Sequence, residues 1–168
     1  MTDQVVRAVE REMVEHGAFR ETADGFSVRT TPFDTAISIA ASEEKAVLTV
    51  TVRVPPIDAV VDGDQVAPVV KEGWFETFER RLEDLDGALY EDPDQPLLSL
   101  RPEAVIVEVG FTTSDPTRAV SDAKAVVDYV EGTYVEGIIP GYTYTEPVDG
   151  LLDRAAERSG AEDGRPPL

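Results

Sequence analysis

From Leu48 to Val54 the chain reads LTVTVRV, an unbroken alternation of apolar and polar residues. A period of two sends Leu48, Val50, Val52 and Val54 to one face and Thr49, Thr51 and Arg53 to the other. Such a segment is a strand covered on one side only, which places it in a sheet with one buried and one polar face. Pro55-Pro56 closes it, because proline cannot extend the ladder. Phe26, Val28 and Thr30 repeat the pattern. So do Phe33, Thr35, Ile37, Ile39 and Ala41, and only Ser42-Glu43-Glu44-Lys45 separates this run from the next. Connections this short join antiparallel neighbours. Leu97-Leu98-Ser99-Leu100 reads as a weak strand, and Ala104 to Phe111 as a strong one with Val105, Val107, Val109 and Phe111 on one side.

Three stretches follow the helical period instead. Val5, Val6, Val9, Met13 and Val14 form a stripe from Asp3 to Glu15, stopped by Gly17. A second helix is expected to begin near Val66, with Asp64 as cap and Pro68 in its first turn. Its stripe is Val70, Trp74, Phe78, Leu82 and Leu85. Asp115-Pro116 opens a third, with Ala119, Val120, Ala123, Val126, Val127 and Val130 apolar and Gly132 as the expected end. Asp122, Lys124 and Asp128 are placed among its polar positions. A short trailing helix is expected over 150–158. The order α-β-β-β-α-β-β-α predicts an α+β fold: a mostly antiparallel five-stranded sheet with helices packed on one face. Residues 1–158 are expected to form a single domain and 159–168 a disordered tail.

Charge narrows the function. There are 34 acidic and 15 basic side chains, a net charge of -19, and only three lysines. Phosphate backbones and anionic membrane surfaces are bound through Lys and Arg, so neither nucleic acid nor a membrane is an expected partner. The acids are spread along the chain, which predicts an acidic coat over the whole surface. A coat of that kind, poor in lysine, is expected of a protein folded in high salt, where screening removes its self-repulsion. No signal peptide or membrane-length apolar run is present, so a cytoplasmic location is expected.

Chemistry is sparse. Without cysteine there is no disulfide, thiolate metal site or cysteine nucleophile. His16 is the only histidine, which excludes HExxH, and neither a P-loop nor a GxSxG turn occurs. Asp58, Asp62 and Asp64 lack calcium-loop spacing and read as a solvated loop. No cofactor and no specific metal is expected, and no catalytic residue is assigned. Glu108 is expected on the polar sheet face and His16 at the frayed end of the first helix. The stretch 134–147, YVEGIIPGYTYTEP, reads as a structured aromatic loop. Tyr134, Tyr142 and Tyr144, with Trp74, are the candidate ligand- or partner-binding residues, since tyrosine and tryptophan concentrate at recognition surfaces.

Two segments, VTVRVPPIDAVVDGDQVAPVVKEGWFETFERRLED and VIVEVGFTTSDPTRAVSDAKAVVDYVEGTYVEGIIPGYTY, carry a resemblance to a family of small acidic haloarchaeal proteins with no assigned function. Over roughly residues 3–131 the element order is similar to that of type III secretion chaperone-like and YbjN-like proteins. That likeness, with the lack of a catalytic constellation, implies a non-enzymatic protein-binding or chaperone-like role, with a protein partner or a homodimer expected. The alternative is a small-ligand-binding domain or a carboxylate-based enzyme with a pocket near the 134–147 loop.

Overall fold

The structure, a computed structural model, describes residues 2–163, and the surroundings of side chains 3–157. Four helices, α1 (Thr2–Glu15), α2 (Pro68–Leu82), α3 (Pro116–Glu136) and α4 (Val148–Asp163), accompany eight strands. Six of these, β1 (Phe19–Thr22), β2 (Gly25–Val28), β3 (Asp34–Ser42), β4 (Lys45–Val54), β6 (Leu97–Leu100) and β7 (Val105–Thr113), form one antiparallel sheet in the order β1-β2-β3-β4-β7-β6. The remaining two, β5 (Val61–Asp62) and β8 (Thr143–Tyr144), form a separate ribbon. The expected α+β class holds, with six strands in the main sheet instead of five.

The additional strand is β1. Its sequence FRET offers one apolar residue, Phe19, and that residue alone is buried. Pairing with β2 defines it: Phe19 lies opposite Val28, and Thr22 opposite Gly25. Gly25 is required there, because a Cβ would collide with the Ile37 carbonyl oxygen. Strand β2 ends at Val28, short of the expected Thr30, where the Val28 N–H donates to Thr35 Oγ1 at 2.7 Å.

Register sets the core. Phe26, Ile37, Val50 and Val109 lie side by side across four strands, and Leu48 lies beside Phe111. All of them are buried. Val9 and Met13 of α1, and Ala119, Ala123, Val126, Val127 and Val130 of α3, complete this core from the helical side. Small side chains on α3 let its backbone approach the valine-rich face closely. Val14, expected in the α1 stripe, is 58% exposed, because the helix turns it about 100° away from Met13.

Helix boundaries differ from expectation in α2, α3 and α4, the last running over Val148–Asp163 instead of 150–158. Helix α2 starts at Pro68, with Ala67 and not Asp64 at its cap. The residue before a proline is driven extended, and Ala67 has ψ 144. Leu85 falls in a separate 3-10 turn, Leu85–Ala88. Helix α3 passes through Gly132 to Glu136. A helical glycine costs only about 1 kcal/mol, less than the gain from burying Thr133 and Tyr134 one turn further on. Of the tail expected over 159–168, the first five residues fall in α4 and the others lie outside the described residues.

The β3–β4 turn is strained. Ser42 pairs with Lys45, and both residues between them have positive φ, 48° at Glu43 and 68° at Glu44. Two-residue hairpins of this kind favour Asn-Gly, since a side chain in the left-handed region costs roughly 1–2 kcal/mol. The double substitution E43N/E44G is expected to raise stability by about 1 kcal/mol, read as a higher urea midpoint at unchanged slope. The pair E43Q/E44Q removes the same charges without relieving the backbone. An equal gain from it would assign the effect to charge and refute the strain.

Candidate functional site

The four aromatic candidates are placed apart in role. Tyr134 is in α3 and not in a loop, and it is fully buried. Its hydroxyl donates to the Pro55 carbonyl at 2.8 Å, tying α3 to the end of β4. Burial, then the neighbouring Tyr144, holds that hydroxyl protonated far above its ordinary range. Trp74 stacks on Phe78 with ring centroids 5.6 Å apart, and both meet the edge of Tyr134. These three rings are core. Tyr144, in β8, donates its hydroxyl to Ile139 O at 2.7 Å and accepts from Ile139 N at 3.2 Å. The turn at 139–144 is therefore closed by its own tyrosine, and Tyr142 rests half-buried against that ring.

The titratable groups singled out by sequence are also placed. His16 ends α1, exposed, with Nδ1 accepting the Ala18 N–H at 3.2 Å. It borders a groove of about 710 Å³ between α1 and α3. Charges in that groove pair locally: Lys124 with Asp128 at 2.7 Å, and Glu12 accepting from Thr117 Oγ1 at 3.1 Å. Asp58 pairs with Lys71 at 3.2 Å. Among the described residues, no cluster of three or more His, Asp or Glu side chains is arranged to hold a metal ion. No described helix is long and apolar enough to cross a membrane.

Sequence reading missed Asp122. It is fully buried in α3, where Oδ1 accepts the N–H of Tyr90 at 2.8 Å and Oδ2 that of Glu91 at 2.9 Å. The loop before β6 is thereby fixed to α3. Tyr90 is displayed 69% exposed, with the Arg118 guanidinium 5.5 Å from its ring centre and Glu91 accepting from Arg118 at 3.3 Å. A signal existed: Asp122 stands three residues after Ala119 and four before Val126, inside the apolar stripe.

The sheet has two faces of different character. Helices α1 and α3 cover the valine face, and α2 and α4 attach through α3. Among the described residues no helix lies over the opposite face. Across its middle run Ser27, Ala36, Thr51, Glu108 and Leu97, then Gly25, Ser38, Thr49 and Gly110. Leu97 is 65% exposed. Gly110 leaves room for Asp94, whose Oδ2 would stand 2.9 Å from a Cβ there.

The charge of this face departs from the rest of the molecule. Its strand residues carry Arg20, Lys45 and Arg53 against Asp34 and Glu108, while Asp94 flanks it beside Gly110 and Glu43 and Glu44 border it at the β3–β4 turn. For the whole chain the ratio is 15 basic to 34 acidic. Carboxylates crowd the helices and loops instead, as on the exposed side of α2 with Glu72, Glu76, Glu79 and Glu83. The expectation of an acidic coat over the whole surface is therefore corrected: the open sheet face is exempt. The middle of the face is lined mainly by short side chains, among them Ser27, Ala36, Ser38, Thr49 and Thr51. Its chemistry offers no converging acid, base and nucleophile.

Residues 14–154 match the sequence profile of a family described as a family of unknown function (DUF5813). No curated protein and no solved structure matches the chain.

Proposed function

The chain belongs to that family, and from this starting point we propose that it is a non-catalytic, protein-binding domain of chaperone-like character, working in a salt-rich cytoplasm. One observation carries the reading: a broad sheet face that is uncovered and charge-balanced on a molecule of net charge -19. Repulsion between like-charged bodies opposes association everywhere else on this surface, and the balanced face is where that opposition is smallest. The aromatic residues weighed for a ligand site lend less support to the alternative, because Trp74 and Tyr134 fill the core and the Tyr144 hydroxyl is engaged by Ile139.

The test is affinity capture with tagged full-length chain in molar KCl, from an extract that also contains the untagged chain. Wild type and Ser38→Arg are compared. Ser38 is exposed at the middle of the face, so the substitution adds bulk and charge without entering the core. Capture of a defined protein by wild type, lost at least tenfold with Ser38→Arg, supports the reading. Capture of nothing, or the same capture by both, overturns it.

A further inference from the structure

The open face has a symmetry of charge that bears on what covers it. In the sheet Asp34 lies beside Arg53, Ala36 beside Thr51, Ser38 beside Thr49 and Ala40 beside Val47. One half of the face, β1 to β3, carries Arg20 and Asp34. The other half, β4, β7 and β6, carries Arg53, Lys45 and Glu108. A two-fold axis parallel to the strands, midway between β3 and β4, exchanges the halves. It lays each Asp34 over Arg53 of the partner subunit. It also lays Arg20 over Leu97 of the partner subunit, one strand away from Glu108 of the partner subunit.

Between these charges the axis opposes short residues: Ala36 to Thr51, Ser38 to Thr49 and Ala40 to Val47, each with its counterpart of the second copy. Short side chains allow two sheets to approach to the usual ~10 Å, aligned within about 30°. Strand spacing and rise give the face a flat area of roughly 600 Å². Side-chain relief raises this toward the ~800 Å² that each partner contributes to a stable interface. The exposed Leu97 falls inside this footprint, where it is covered.

Resting on the protein-binding reading above, we infer that the occupant of the open sheet face is a second copy of this chain, packed face to face about a two-fold axis between β3 and β4. Self-complementary charge is what selects a second copy over an unrelated partner. A basic partner would find the acidic helices and loops a stronger attractant than this balanced sheet.

The experiment is sedimentation equilibrium of the full chain at tens of micromolar, at the lowest salt that keeps the buried Trp74 in its folded emission. Wild type is expected to be a dimer. Ser38→Arg is expected to weaken dimerisation at least tenfold while Trp74 emission stays folded. Asp34→Arg and Arg53→Asp each place like charges across the axis, and each alone is expected to be monomeric. Mixed in equal amounts, they restore opposite charges across the interface and are expected to form a heterodimer. A wild-type monomer overturns the inference, whether the face is then covered by the segment beyond Asp163 or by a different protein. A dimer that survives Ser38→Arg, built for instance on the free edge of β6, also overturns it. Capture of only other proteins in the preceding experiment would leave the protein-binding reading standing and defeat the second copy.

Discussion

Asp122→Ala is expected to destabilise the fold by about 3–5 kcal/mol. The carboxylate has no contact with water, and each oxygen accepts one backbone N–H, from Tyr90 and from Glu91. A hydrogen bond to a charged acceptor contributes roughly 1.5–3 kcal/mol, and each donor left buried without a partner costs about 1–3 kcal/mol. Alanine removes both bonds. For a chain of this size the midpoint should fall by roughly 10 °C, at ~2–4 °C per kcal/mol. Asp122→Asn separates the two contributions. Its amide accepts one N–H and turns its own NH₂ toward the other, so it should lie between wild type and alanine. Thermal unfolding followed by Trp74 emission reads all three. If alanine shifts the midpoint by less than 2 °C, the two bonds are not what holds the loop.

Raising KCl from about 0.1 M to about 2 M is expected to raise the unfolding midpoint by roughly 10 °C, equivalent to about 3–5 kcal/mol. The cause is self-repulsion at net charge -19. Added salt contracts the Debye length from ~10 Å to below ~3 Å, so carboxylates on neighbouring turns cease to repel. Chloride is chosen over sulfate because sulfate strengthens apolar burial by itself. A charge variant isolates the mechanism. Glu72, Glu76 and Glu79 share the exposed side of α2, and three Glu→Lys exchanges there reduce the net charge from -19 to -13. This variant should be more stable than wild type in dilute buffer and respond less to KCl. Identical midpoints at both salt concentrations would remove the electrostatic basis for a salt-rich habitat.

The two residues that matter most for these arguments were legible to different degrees. Alternation from Leu48 to Val54 identifies β4, its buried face and its open face, because a strand's period of two is a local property of the backbone. Ser38 on the open face follows from the same period. Asp122 does not, since a carboxylate in an apolar stripe is tolerated only when a segment some 30 residues away brings two N–H groups to it. Tyr134 was misplaced for a related reason. Glycine at 132 is an ordinary stop signal, and only the Pro55 carbonyl and the rings of Trp74, Phe78 and Phe33 make continuation of α3 favourable.

Amino-acid order alone determined the α+β class, the antiparallel hairpin of β3 and β4, the helices α1, α2 and α3 and the excess of carboxylates. Each of these depends on neighbours within a few residues or on composition. Tertiary structure decided the sixth strand, the core role of Tyr134, the anchoring by Asp122, and the sparing of one sheet face from the acidic coat. Those depend on which distant strands are adjacent and in what register, and register is fixed by the packing of the whole core.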